Sequence, residues 1–190
     1  MPVRSPYPDV DIPAVSLPEF LFGNDLGEYA TLPAFVDGVT GYSVPFAELH
    51  EQVLRIAAAL AERGIGRGDV VALFAPNSPA WAAVFHGVLR ANAVLTSVNA
   101  LYTAGEFAAQ LADSRARMIL TVAPLLDRAA AAAKEAGLDS NAIVVLDGAD
   151  GYASLRDLLA CTASRRPRQS TLTTPPCCRT PRGRRGDPRA

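Results

Sequence analysis

The chain has 190 residues, 49 % of them hydrophobic and 19 % charged, with a formal net charge of −1. That is enough sequence for one domain with a real core, in the ordinary range for a globular protein. No apolar run approaches the length of a membrane span, and the N-terminus (MPVRSPYPDVDIP) has no apolar segment of the secretory type, so a cytoplasmic protein is expected.

Residues 1–15 are Pro-rich and expected to run extended over a surface. Ser16-Leu17-Pro18-Glu19 places a capping Ser three residues before a Glu and predicts a short helix through Phe22, ending near Gly23. Ala34-Phe35-Val36 and Gly41-Tyr42-Ser43-Val44 flank Asp37-Gly38-Val39-Thr40, which reads as a hairpin with a Gly-containing loop. From Pro45 to Arg63, Phe46, Leu49, Val53, Ile56 and Leu60 recur three and four apart on one helical face, and Gly64 ends the helix. His50 lies off that stripe and is read as a solvated helix residue.

Gly64-Ile65-Gly66-Arg67-Gly68-Asp69 invites a phosphate-loop reading. Such a loop should follow a strand and open a helix, whereas this one follows a helix and opens a strand, so a structural turn is the reading taken. Val70 to Phe74 is a short apolar run suited to a strand buried on both faces. Ser78 and Pro79 then cap and start a helix whose apolar face is Trp81, Val84, Phe85, Val88 and Leu89, with Asn92 as its stop. Val94 to Val98 forms the next strand. Thr103-Ala104-Gly105-Glu106 is a second capping box, and its helix carries Phe107, Gln110, Leu111 and Ser114. Arg117 to Val122 is a strand. Pro124 starts a helix over Leu125 to Ala136 that Gly137 ends, Ala142 to Leu146 is a strand, and Ser154 begins a last helix.

From Val70 onward the order is βαβαβαβα. It predicts an α/β fold with a doubly wound, mostly parallel sheet and flanking helices. Ligands of such sheets sit beyond the carboxyl ends of the strands, here Pro76–Ser78, Asn99–Tyr102, Ala123 and Asp147. His86, Trp81 and Tyr102 are read as packing residues rather than as catalytic or substrate-contacting ones.

The stretch APNSPAWAAVFHGVLRANAVLTSVNALYT, Ala75 to Thr103, resembles the N-terminal domain of AMP-forming acyl-CoA synthetases, in the branch of the 4-coumarate–CoA and fatty-acid–CoA ligases. The resemblance spans Ser16 to Leu159. Ser43-Val44-Pro45-Phe46-Ala47-Glu48-Leu49 corresponds to the family's strand-to-helix start. It implies the N-terminal part of an AMP-binding domain, organised as an extended segment (1–15), a partial AMP-binding domain (16–160) and a tail (161–190). For the full-length family it implies ATP, Mg²⁺ and coenzyme A, with a small-molecule carboxylic acid as substrate. The family's phosphate loop, adenosine motifs and C-terminal Lys all lie downstream of the residues present. No catalytic, cofactor-binding or metal-ligating residue is therefore assigned to this chain, and as a fragment it is expected to bind none of these cofactors and to be inactive.

The tail from Cys161 to Ala190 holds eight Arg, one Asp and all three cysteines, Cys161, Cys177 and Cys178. Where the family carries a signature close to Y-S-S-G-T-T-G-x-P-K-G, the chain reads TTPPCCRTPRGRRGDPRA. Joining the last base of each codon to the first two of the next, from Pro176 to Ala190, is compatible with V-L-P-Y-S-S-G-T-T-G-x-P-K-G. Two of three bases are fixed at every step, so the expectation is a frameshift between Leu159 and Thr173. The alternative is a non-catalytic interaction protein that uses the folded layer and the basic tail, whose Arg would give only salt-sensitive, non-specific contact with nucleic acid.

Overall fold

The structure is a computed structural model that describes residues 6–8 and 10–161. Readings that concern the tail beyond Cys161, including Cys177, Cys178 and the shifted frame, lie outside the described residues.

Helix α1 (Leu17–Phe22) starts where the Ser16 side chain accepts from the Glu19 N–H and ends at Gly23. A 3₁₀ turn, Gly27–Thr31, leads into an antiparallel hairpin of β1 (Pro33–Val36) and β2 (Ser43–Pro45), with a register shift between Pro33 and Phe35. Its loop is tied by Asp37, whose Oδ1 accepts from the Val39 N–H (3.0 Å), the Thr40 N–H (2.7 Å) and the Thr40 hydroxyl (2.9 Å). Those bonds hold the Asp37 carboxyl below its usual range.

Helix α2 (Phe46–Glu62) buries Leu49, Val53, Ile56 and Leu60 of the stripe read from the spacing, Phe46 at its start is only half-buried, and Gly64 follows it at φ 73°. Then come β3 (Val70–Phe74), α3 (Pro79–Arg90), β4 (Val94–Ser97), α4 (Ala104–Ser114), β5 (Ala116–Thr121), α5 (Leu126–Glu135), β6 (Ile143–Val145), β7 (Ala153–Ser154) and α6 (Leu155–Leu159). Ser78 caps α3 by accepting from the Trp81 N–H at 3.1 Å, and Asn92 after α3 is left-handed at φ 61°. Both capping-box bonds form at Thr103 and Glu106.

Five strands make one parallel sheet in the order β4-β3-β5-β6-β7. All five residues of β3, the strand next to the β4 edge, are buried. Side chains alternate across it. Val71 and Leu73 join the core with α2, α3 and α6, while Val70, Ala72 and Phe74 join the core with α4 and α5. Helices thus cover both faces, as the doubly wound reading requires. Ala129, Ala132 and Ala133 bring α5 close to the sheet. Among the described residues no helix is long and apolar enough to cross a membrane.

Two readings are corrected and one element is new. The helix placed over Leu125–Ala136 begins with a 3₁₀ turn, Ala123–Leu125, because Pro124 fits its first turn, and the α-helix proper starts at Leu126. The two-residue β7 was not foreseen, since so short an edge strand leaves no periodic signal. His50 is not fully solvated. Its ring stacks on Phe22 at 5.4 Å with an interplanar angle of 12°.

Candidate functional site

The parallel strands send all their carboxyl ends to one side, and a cleft of about 490 Å³ opens there beyond β3 and β4. Its walls come from the loop after β3 (Pro76, Asn77), the loop after β4 (Asn99, Tyr102), Trp81 of α3 and Gln110 of α4. The sequence placed a ligand edge at Pro76–Ser78 and Asn99–Tyr102, and residues of both segments line this one cleft. Ala123 and Asp147 do not line it. They bond each other instead, the Ala123 N–H donating to Asp147 Oδ1 at 2.7 Å.

The polar groups around this edge fasten its loops. Asn99 Oδ1 accepts from the Leu101 N–H at 3.0 Å. Arg128 Nη1 donates to the carbonyls of Ala100 and Tyr102, each at 3.0 Å, while its guanidinium lies 5.5 Å from the centre of the Phe74 ring. The buried Gln110 donates from Nε2 to Thr96 Oγ1 (2.9 Å) and to the Ser97 carbonyl (3.0 Å). Thr121 Oγ1 donates to the Phe74 carbonyl at 2.9 Å. Sequence reasoning missed Arg128 and gave Gln110 only a place on a helix stripe. A cation that reaches across 26 to 28 residues to two carbonyls leaves no local spacing signal.

This edge contains neither a Gly-rich strand-to-helix turn nor a Lys to meet a phosphate. Among the described residues no three His, Cys, Asp or Glu come together to hold a metal.

A second cleft, about 610 Å³, lies between the β1–β2 hairpin and the first half of α3. Phe35, Val36 and Val39 face Pro79, Trp81 and Phe85 across it. Trp81 and Phe85 stack at 5.4 Å with a 12° interplanar angle, so Trp81, read from sequence as packing, walls both clefts as well. His86 borders the second cleft and meets Phe22 (5.5 Å) and Phe85 (5.1 Å) edge-on. Its Nδ1 is buried without a hydrogen-bond partner, and burial holds its pKa below the usual value. His50 is lowered too, first by burial and then by the Arg90 charge. A neutral, partly buried imidazole with no carboxylate to orient it fits packing better than proton transfer.

The family described as AMP-binding enzyme matches residues 24–176, which carries the likeness past Leu159 and into the tail. The 4-coumarate–CoA ligase 3 of Oryza sativa subsp. japonica is 36 % identical over 159 residues, covering 83 % of this chain and 28 % of that protein. A benzoate CoA ligase from Burkholderia xenovorans LB400 superposes with a TM-score of 0.69 at 25 % identity, over 83 % of this chain and 30 % of the ligase. ATP-bound MatB from Rhodopseudomonas palustris superposes with a TM-score of 0.66 at 26 % identity, over 80 % and 29 %. The chain thus spans under a third of the length of these relatives.

Proposed function

Because the chain belongs to the AMP-binding enzyme family, we propose that it is the N-terminal part of an ATP-dependent carboxylic acid–CoA ligase acting on a 4-coumarate-like or fatty acid, and that it is inactive alone. In the reaction of such a ligase a carboxylate oxygen attacks the α-phosphorus of ATP and pyrophosphate leaves. The thiol of coenzyme A then attacks the acyl carbon and AMP leaves. Both steps need donors and positive charge fixed around phosphate oxygens.

The observation that carries the reading is a match along most of this chain to less than a third of a 4-coumarate–CoA ligase. The residues present serve it as scaffold. Gln110 and Arg128 lock the loops at the carboxyl edge of the sheet through bonds to Ser97, Ala100 and Tyr102, and a phosphate loop supplied by the rest of the ligase would work against that rigid edge. The frame compatible with V-L-P-Y-S-S-G-T-T-G-x-P-K-G supports a coding sequence whose phosphate loop lies in the neighbouring frame.

Two measurements test this. Sequencing the DNA from the Leu155 codon through several hundred bases past the Ala190 codon is expected to find the remainder of a ligase in the neighbouring frame, and a closed frame sinks the fragment reading. Assaying the 190-residue chain with ATP, coenzyme A and 4-coumarate or a fatty acid is expected to release no pyrophosphate. Turnover by the chain alone would overturn the claim of inactivity.

A further inference from the structure

The chain holds two histidines, His50 and His86. They sit on different helices, α2 and α3, yet both rings meet the same side chain, Phe22 of α1. His50 stacks on Phe22 at 5.4 Å, and His86 meets it edge-on at 5.5 Å. Phe22 packs against the α2/α3 core, and Pro18 is the buried residue of α1. Leu17, Phe20 and Leu21, the other large apolar residues of this six-residue helix, are exposed. Helix α1 is thus fastened largely through one ring. That ring lies between two groups that take up a proton near neutral pH.

The surroundings leave an added charge without compensation. Nδ1 of His86 is buried without a hydrogen-bond partner, and so is Nε of Arg90, one turn further along α3. The Arg90 charge also acts on His50 across the α2–α3 contact. Burial alone acts on His86, and among the described residues no carboxylate offsets either imidazole. The acidic groups of the neighbouring elements are engaged elsewhere or exposed. Glu48 of α2 bonds Tyr42 and Gln52, and Glu51 pairs with Arg55. Asp37 of the hairpin bonds Val39 and Thr40, and Glu19 of α1 is exposed. An imidazolium keeps some attraction for the face of a Phe ring, but the cost of a buried charged N–H with no acceptor exceeds it.

We propose that α1 is a proton-released strap: protonation of His50 and His86 detaches Phe22, and helix α1 with it, from α2 and α3 while the five-stranded sheet stays folded. The docked form disfavours the imidazolium, so the released form takes up protons first. Release therefore sets in as pH falls below about 6.5, the ordinary value for His. At pH 5.5 an ordinary imidazole is protonated about ten to one. Each ring then shifts the ratio of released to docked α1 by up to about tenfold, and the pair by up to about a hundredfold. Release uncovers the seat of Phe22 between α2 and α3, and with it His86, which also borders the 610 Å³ cleft.

Hydrogen–deuterium exchange of the full 190-residue chain tests this, read peptide by peptide at pH 7.5 and 5.5 and corrected for the intrinsic rate. Protection of the α1 amides, such as the Gly23 N–H on the Glu19 carbonyl (2.8 Å), is expected to fall about tenfold on acidification. Strand β3 is expected to stay about a hundredfold or more better protected than α1 at both pH values. The double variant His50→Phe with His86→Phe has no titrating ring at either position and is expected to keep α1 protected at pH 5.5. Phe22→Ala is expected to lack α1 protection at both pH values. In the unaltered chain the two imidazoles, followed by NMR, are expected to titrate over the range in which α1 loses protection, which decides the matter if the double variant misfolds. Equal α1 protection at both pH values overturns the proposal. So does a fall of α1 and β3 to the same level, which makes the event global unfolding. Loss of α1 protection at pH 5.5 in a folded double variant, or imidazoles that titrate outside that range, overturns it as well.

Discussion

Replacing Gly87 by Ala tests how closely α2 and α3 approach. In an exposed helix interior this change is favourable by about 1 kcal/mol, because Gly has more backbone freedom to lose. Here a Cβ on Gly87 would lie 2.5 Å from Ile56 Cγ2 and 2.8 Å from Ile56 Cβ. Ile56 is fully buried in the same core and has no room to swing away. Overpacking of this kind costs about 1–3 kcal/mol, and the severity of both contacts places Gly87→Ala at the upper end, for a net loss of about 1–2 kcal/mol. For a domain of this size that lowers the Tm by about 2–8 °C.

The clash involves the branch methyl and Cβ, so Ile56→Val, which removes only Cδ1, should not relieve it. Ile56→Ala alone should cost about 2–5 kcal/mol. Combined with Gly87→Ala it should cost less than the sum of the two, since the nearer contact is gone. Urea unfolding followed by circular dichroism, on the four members of that cycle, measures the coupling. A stabilised Gly87→Ala protein, or a cycle with no coupling, would refute the close approach of the two helices.

Acidification tests the His50–Phe22–His86 cluster. Both imidazoles have folded pKa values below the ordinary value of about 6.5, chiefly through burial. The unfolded chain therefore takes up protons first, so stability is full above pH 6.5 and falls as pH drops below it. The urea midpoint between pH 7.5 and 5.5 should show this, and a flat profile would contradict it. Thr103→Ala breaks the capping box of α4 and should cost about 1 kcal/mol in urea unfolding. Arg115→Gly relieves a left-handed residue at φ 56° on an exposed helix end, and should raise the urea midpoint by an amount equivalent to about 1 kcal/mol.

The layer structure was legible because its signals are local. The α2 stripe, the unbroken apolar run of β3 and the caps at Ser78, Thr103 and Ser154 each act within a few residues. What the sequence could not show depends on distant partners. His50 is covered because Phe22 folds back from α1, and β7 is a strand only because β6 is beside it. The carboxyl edge was placed correctly by the strand order, yet the Arg128 and Asp147 bonds that shape it join residues 24 to 28 apart.

The bond from Arg55 to the Leu159 carbonyl joins residues 104 apart in the chain. During synthesis α2 emerges early, but the side that α6 covers stays bare until those later residues have been made. At about 5–20 residues per second that interval is about 5–20 s, far longer than the microseconds in which a helix forms. The side of α2 that α6 covers in the folded protein therefore stays without its partner for seconds on the ribosome.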